Sequence, residues 1–513
     1  MRDSFRKNIL TVGGLTAISR VLGFIRDMIM AWLLGAGILA DAFVVANRIP
    51  NLLRRFMAEG AVSVAFVPVF SEVKEKEGIE RAFLMAREIM TLMFYSLVVV
   101  VIIGEVAAPV LVAVMAPGFL SGGGFDTTVH LTRIMFPYIL LIGIAVLFMG
   151  ILNSLGHFAA PAAAPILMNL FMIGVPLMGY VAYPVFISPA DALAWGVIAG
   201  GVAQILIQIP PLLKRNVPLR LTMRFNSSRV RQVVKLVGVA AIGASIYQIN
   251  VLIGTLLASL LPRGSVSYLY YANRILELPL GIFAFAIGNV MLPAMSTASA
   301  RLDNVQLSSL MGRGLLAVLL FTIPATVGCL VLAKPIFAVL FLRGAFTYED
   351  ALASSYALQM YALSLWGVGY SRIQTQALYA MQKARTVVNI SWITLLANLV
   401  LCLVLMPFMK HAGIALASSI SVFVQMLIQH AFIKKAGIYI PKNDINQFGK
   451  MITAAAIMGI LLIPFARIDV WRVGLSIASG SLLLLAITLG GGLYFGCLWA
   501  MGMKGFMNLK KQV

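Results

Sequence analysis

Several arginines lie inside long apolar runs of the sequence. Arg20 and Arg26 interrupt the first run, Arg54 lies in the second and Arg274 in the eighth. A charge at the centre of a bilayer costs about 2.5–3.5 kcal/mol on insertion scales, so a retained charge usually faces a cavity or a partner. A guanidinium presents fork-shaped donors that match phosphate oxygens. The four arginines therefore predict a site for an anion, and a diphosphate is the anion we expect.

Further charges in the same runs are expected to support this site: Asp27, Asp41, Arg48, Arg55, Glu59 and Glu277. At 100° per residue, Asp27 lies about 20° from Arg20 on one helix face. Arg55 and Glu59 have the four-residue spacing of a helical ion pair. A structural interpretation stays open for all of these charges, most of all for Arg26, Arg48 and the Arg55–Glu59 pair, because paired or surface-reaching charges need no ligand.

Carboxylates are scarce where a cation-coupled transporter normally has them. No Asp or Glu occurs between Arg229 and Pro262, or between Thr386 and Ile433. We therefore expect the membrane potential to supply the driving force, while a monovalent cation held by carbonyls and by Asn389 or Asn398 stays open. The sequence shows no phosphate loop, metal-ligand cluster or nucleophile signature, so we predict no catalytic residue, metal or cofactor.

The elements that carry these residues are predicted to cross a membrane. Hydrophobic types make up 61% of the chain and charged types 11%, against about 25% charged in soluble domains. A spanning helix needs about 20 apolar residues, and the pattern predicts an all-α polytopic membrane protein with about fourteen transmembrane helices. The predicted spans lie within residues 8–35, 41–70, 84–115, 129–153, 160–184, 190–213, 230–261, 266–297, 309–341, 351–379, 387–407, 412–433, 447–465 and 471–502. The net charge of +21 lies mostly in one alternate set of loops. This pattern indicates two cytoplasmic termini rather than nucleic-acid binding.

The chain also repeats itself. Residues 46–49 (ANRI) recur as 272–275, and a similar ending follows each copy, PVFS at 68–71 and PAMS at 293–296. Because six predicted spans separate the copies, the repeat is parallel, as in transporters built from two similar bundles. We predict a six-helix lobe over 1–222, a second over 223–440, and two extra helices over 441–513.

The residues also resemble a known family. SRVLGFIRD at 19–27, DAFVVANRIPNLLRRFMAEGAVSVAFVPVFSE at 41–72, FPYILLIGI at 136–144 and GSVSYLYYANRILELPLGIFAFAIGNVMLPAMS at 264–296 are similar to the MurJ (MviN) family of bacterial lipid II flippases. That family belongs to the multidrug, oligosaccharidyl-lipid and polysaccharide exporter superfamily. The resemblance runs over essentially the whole chain.

The resemblance implies two lobes around a central cavity, with the last two helices forming a lipid-tail groove. It implies transfer of undecaprenyl-diphosphate-linked disaccharide-pentapeptide from the cytoplasmic to the periplasmic leaflet of the inner membrane. The cavity arginines of the family fall on Arg20, Arg26, Arg54 and Arg274. The expected partners are the lipid-linked anion, membrane lipids and other cell-wall synthesis proteins. Asn273 departs from relatives that carry Asp, which weakens any role for an acid beside Arg274.

Three other functions compete with this interpretation. A flippase for another lipid-linked oligosaccharide would share the fold, and so would a multidrug exporter of the same superfamily. The exporter, however, would favour an acidic cavity for cationic drugs. A membrane glycosyltransferase would need catalytic carboxylates on sizeable external loops, where only Asp126, Glu349, Asp350 and Asp469 are candidates.

The predicted orientation can be tested with single cysteines. A cysteine in place of Ser228 should react with impermeant reagents only from the cytoplasmic side, and one in place of Gly123 only from outside, because the basic loops stay inside. Thiol labelling of intact and opened cells measures this. Labelling of both positions from outside would contradict the topology.

Overall fold

The structure is a computed structural model that describes residues 2–55, 65–223 and 227–503. Within these ranges the regular elements are helices, and no strand occurs. A bilayer has no water for exposed N–H and C=O groups, so each segment satisfies its own backbone as a helix. Helical segments fall on all fourteen predicted spans. Nine segments of the described residues, some of them made of two consecutive helices, are long and apolar enough to cross a membrane. The predicted all-α polytopic fold is confirmed.

Two compact units divide the chain between Gly264 and Ser265. The helices of the first unit are α1 (Arg2–Leu34), α2 (Ile38–Arg55), α3 (Val67–Glu77), α4 (Ile79–Met115), α5 (Phe119–Gly122), α6 (Phe125–Met135), α7 (Tyr138–Ser154), α8 (Ala159–Pro176), α9 (Pro189–Leu206), α10 (Ile209–Leu213) and α11 (Ser228–Ser259).

The second unit begins at Ser265 and contains the remaining helices. They are α12 (Ser265–Pro279), α13 (Phe285–Ala300), α14 (Asn304–Leu340), α15 (Tyr348–Ala362), α16 (Leu365–Ala380), α17 (Ala384–Lys435), α18 (Lys442–Ala466) and α19 (Ile477–Ala500). A 3₁₀ turn, Asp469–Arg472, precedes α19.

The two units are defined by contacts between residues, whereas the two predicted lobes are defined by the sequence repeat. By its contacts α11 belongs to the first unit, although the repeat places it in the second lobe. The lobe boundaries at 222/223 and 440/441 therefore stay a prediction. Each copy of the repeated motif lies in the middle of a helix, with Arg48 in α2 and Arg274 in α12.

Prolines set the irregular turns within the spans. Pro176 ends α8 and Pro279 ends α12, and each is followed by a π-helical turn, Leu177–Ala182 and Leu280–Ala284. Proline has no N–H, so the ordinary helical ladder loses a bond there and the next turn widens. The helix α17 is broken at Lys410, where φ is 52° and ψ is −132°. This break divides α17 into two of the predicted spans.

Small residues let helices of the first unit approach closely, as is common in membrane bundles. Gly196 and Gly200 lie one turn apart on α9 and face α8, where a Cβ at Gly196 would come within 3.1 Å of Met172 Cα. Gly104 of α4 packs against the buried ring of Phe136, and a Cβ there would lie 1.8 Å from that ring.

The last two helices pack within the second unit. α18 lies against α14 and α19, and their shared apolar core includes the fully buried side chains of Trp471 and Tyr494. The Trp471 indole N–H donates to the Phe465 carbonyl at 2.8 Å, which satisfies the polar atom of a buried ring. The lipid-tail groove expected of these helices stays a prediction.

The close approach at Gly104 predicts a large effect of a single methyl group. Gly104→Ala should lower the stability of the protein by about 1–3 kcal/mol, because Phe136 is enclosed and cannot move aside. Thermal unfolding of the purified protein in detergent measures the change. Gly174→Ala is the control, because no atom lies within 4 Å of its added Cβ and alanine favours helix. Equal melting temperatures for the two variants would contradict the packing described here.

Candidate functional site

Arg26 is tied to two partners within the first unit. Its Nη2 donates to Asp27 Oδ1 at 2.7 Å and its Nη1 donates to Asn169 Oδ1 at 3.1 Å. Asp27 is only 2% exposed, and a buried carboxylate is costly without such a partner. The Asn169 side chain also donates to the Ser19 carbonyl at 2.9 Å. Arg26, a predicted anion ligand, therefore also links α1 to α8.

Arg20 differs from Arg26 in its surroundings. It is exposed, and it makes no hydrogen bond or ion pair with the residues that the structure describes. The helical phase predicts that Arg20 and Asp27 share one face, yet Asp27 is buried and Arg20 is not. The difference lies along the helix axis, because the end of α1 is buried at Asp27, Met30 and Ala31, whereas Arg20 lies two turns before this part. Arg20 thus keeps its donors available to a ligand.

Two charged residues hold α2 to α11 and the residues that follow it. Arg48 Nη1 donates to the Val251 carbonyl at 3.2 Å and to the Thr255 hydroxyl, which is almost fully buried. Asp41 is 3% exposed and accepts from the Gly264 N–H at 2.7 Å. The seven-residue spacing of Asp41 and Arg48 places them on one stripe of α2. This stripe positions α11 within the first unit.

Three predicted site residues follow Pro50, which lies inside α2. Arg54 and Arg55 belong to the last turn of α2, but their side chains lie outside the described residues, as does the whole of Glu59. Their roles in binding and in ion pairing therefore stay predictions.

Arg274 lies in α12 of the second unit and is held from two sides. Its Nη1 donates to Glu277 Oε2 at 2.7 Å, and its Nη2 donates to the Tyr270 hydroxyl at 3.2 Å, with the guanidinium 4.7 Å from the Tyr270 ring centroid. Asn273 donates to Glu277 Oε1 at 3.0 Å. Asparagine adds no charge, so Arg274 and Glu277 sum to zero, whereas aspartate would leave a net negative charge.

A further arginine, Arg372 in α16, was not among the predicted site residues. Its Nη2 donates to Asn289 Oδ1 at 3.1 Å, and its guanidinium lies 5.1 Å from the Phe285 ring centroid. No carboxylate pairs with it among the described residues. Arg372 also lies within an apolar run, which is the pattern that indicated the other arginines. It could therefore have been predicted from the sequence.

The chemistry available to these residues is anion binding. Arg20 in the first unit and Arg274 in the second unit are described, and both keep part of their surface open. Guanidinium groups recognise phosphate through paired hydrogen bonds and carry no proton that could be transferred near neutral pH. The convergence of Arg20, Arg54 and Arg274 on one diphosphate stays a prediction.

The contacts indicate that Arg48 has a structural role and that Arg20 is available to a ligand. The free energy of unfolding of their alanine variants should show this difference. Arg48→Ala should cost about 1–3 kcal/mol, because the buried Thr255 hydroxyl and the Val251 carbonyl lose a charged donor. Arg20→Ala should change stability by about 0.5 kcal/mol or less. Unfolding of both variants in detergent measures this, and a double-mutant cycle of Arg48→Ala with Thr255→Val should give a coupling energy of about 0.5–3 kcal/mol. Equal losses for Arg20→Ala and Arg48→Ala would contradict this assignment.

Comparisons with solved structures give the fold. A structure described as lipid II flippase MurJ in an inward closed conformation superposes with a TM-score of 0.79 at 26% identity, covering 95% of this chain and 98% of that chain. An inward-facing multidrug resistance transporter of the MATE family, from the MOP superfamily, gives 0.66 at 15% identity, covering 82% and 95%. The second likeness concerns the fold alone.

Comparisons of sequence give the family. A family model described as lipid II flippase MurJ matches residues 30–480. The lipid II flippase MurJ of Burkholderia cenocepacia is 34% identical over 504 residues, which is 97% of each chain. The probable lipid II flippase MurJ of Vibrio cholerae is 36% identical over 476 residues, which is 91% of this chain and 90% of the other. Since the family model and both relatives span nearly the whole length, this chain belongs to the MurJ family.

Proposed function

We propose that this protein transfers lipid II, an undecaprenyl-diphosphate-linked disaccharide-pentapeptide, from the cytoplasmic to the outer leaflet of the bacterial inner membrane. The observation that carries the proposal is membership of the MurJ family over nearly the full chain. The family description names transport rather than catalysis. Within this function, peptidoglycan synthesis and cell shape depend on delivery of the precursor.

The diphosphate is the part of lipid II that the protein would recognise by charge. Arg20 supports this role most directly, since it is exposed and makes no hydrogen bond or ion pair with another described residue. Arg274 is held in place by Glu277 and Tyr270 and presents a fixed guanidinium. Arg54 completes the proposed ligands, and Arg26 contributes from its position beside Asp27 and Asn169. Fixed guanidinium groups lose little freedom on binding, which favours affinity.

Transfer would proceed by alternating access. In the inward-open state the arginines attract the diphosphate, while the C55 tail stays in lipid or in a groove beside the last two helices. The two lobes then rock and expose the head group outside. Moving one charge across 100 mV is worth about 2.3 kcal/mol, and an anion moving outward descends an inside-negative potential. The potential could therefore drive transfer without a carboxylate-built cation site.

The loop charges predict both termini on the cytoplasmic side. The structure improves the labelling design for the outer position. Gly123 has φ of 83°, which most residues adopt only with strain. Ser121 is exposed in α5 of the same connection, so Ser121→Cys tests that side without straining the backbone.

The diphosphate site is tested by removing one guanidinium at a time. Arg20→Ala, Arg54→Ala and Arg274→Ala should each abolish growth of cells that depend on this protein, while the protein still reaches the membrane. A charge-assisted hydrogen bond is worth about 1.5–3 kcal/mol, so each change should weaken head-group binding roughly ten- to a hundredfold. Arg→Lys keeps the charge and loses the planar fork, and should give an intermediate loss.

Arg81→Ala is the matched control for these variants. Arg81 is exposed near the start of α4 and should support normal growth. Arg87 would be a poor control, because it holds a loop of the first unit. Normal growth and normal precursor transfer in Arg20→Ala, Arg54→Ala and Arg274→Ala would overturn the proposed diphosphate site.

A further inference from the structure

The linker that joins α10 to α11 is fastened to α4. Arg87 Nε donates to the Arg220 carbonyl at 2.9 Å, and Arg87 Nη2 donates to the Leu221 carbonyl at 2.8 Å. The Thr222 N–H donates to Thr91 Oγ1 at 3.0 Å, and Thr91 is fully buried. One forked guanidinium and one hydroxyl thus fix three successive linker residues on the helix.

The beginning of α11 is fastened as well. The Ser227 hydroxyl donates to Glu88 Oε2 at 2.5 Å, and Arg229 Nη2 lies 2.6 Å from Glu77 Oε1 in an ion pair. Glu72 lies 3.8 Å from Arg229, and Lys76 and, less strongly, Arg229 hold the pKa of the Glu72 carboxyl below its usual value. Glu72 and Glu77 are therefore paired with basic residues, whereas Glu88 accepts a hydrogen bond from a neutral hydroxyl.

The exposed side chains of the same region are strongly basic. Lys214, Arg220, Arg231 and Lys235 are exposed, and none of them forms an ion pair with the described residues. The sequence contains no Asp or Glu between Asp191 and Glu277. Nothing along this stretch of chain offsets the four positive charges.

Apolar side chains are exposed among these charges. Met223 is 87% exposed, and Leu213, Leu221 and Val234 are 56%, 41% and 52% exposed. A water-facing loop gains nothing from exposing them, whereas a bilayer interface accepts apolar groups below the head groups and basic groups beside the phosphates. The linker connects two predicted membrane spans, so we expect it to lie at a bilayer surface.

We propose that this linker surface, made of Lys214, Arg220, Met223, Arg231 and Lys235, binds the head groups of anionic phospholipids. The basic groups contact lipid phosphates, and Met223 enters the boundary below them. Each Lys or Arg near an anionic membrane surface raises binding about fivefold. Arg87 is a positioning residue, because it holds the linker so that the basic groups act together. The binding is independent of the proposed transport and of its substrate.

The test uses the purified full-length protein and counts bound phosphatidylglycerol against phosphatidylcholine by native mass spectrometry. The triple variant Lys214→Gln, Arg220→Gln and Lys235→Gln should lower the apparent affinity for phosphatidylglycerol at least about tenfold. The control carries the same charge change in the second unit, as Arg301→Gln, Lys383→Gln and Arg385→Gln, and should lose less than about twofold. Equal losses would show bulk electrostatics and overturn the proposal.

Further variants test the contacts that hold the linker on α4 and leave the residues of the linker surface unchanged. Arg87→Ala should lower phosphatidylglycerol affinity about three- to tenfold through loss of preorganisation, and Arg81→Ala should leave it unchanged. Thr91→Val removes the other fastening contact and serves if Arg87→Ala folds poorly. Unchanged lipid binding in both Arg87→Ala and Thr91→Val would contradict the positioning role of Arg87. Complete competition by millimolar inorganic phosphate would identify a free-anion site and overturn the choice of lipid.

Discussion

A guanidinium in an apolar helix bundle needs a partner, a cavity or a ligand, because water is not there to solvate it. This constraint shapes the first unit. Arg26 has Asp27 and Asn169, and Arg48 has Thr255 and the Val251 carbonyl. Arg26 and Asp27 sum to zero charge, whereas Thr255 and the Val251 carbonyl are neutral acceptors for Arg48. Arg20 makes no such contact with a described residue and stays available to an anion.

The same charges also build the scaffold that would carry the substrate site. Arg26 joins α1 to α8, and Asp41 with Arg48 joins α2 to the end of α11. Loss of such a residue would therefore disturb both folding and binding. Stability and head-group affinity, measured on the same variants, separate the two effects.

The sequence predicted the fold well and the individual contacts poorly. Composition and run length gave the helical spans, because lipid leaves few alternatives to helix. Neutral partners such as Asn169 and Thr255 carry no signal in one sequence, since an amide or hydroxyl in an apolar run is common. The break at Lys410 was expected only as a loop between two spans. The helix α11 packs with the first unit, although the repeat assigns it to the second predicted lobe. Arg372 was predictable but missed.

Location of the precursor after loss of the protein tests the central claim most directly. Cells depleted of this protein would be given labelled precursor, and an impermeant reagent that cleaves exposed lipid II would report the outer-leaflet fraction. If the protein moves lipid II outward, labelled lipid II should accumulate and resist the reagent, and cleavage should return when the protein is restored. An unchanged outer-leaflet fraction after depletion, in cells with no other flippase, would contradict the account.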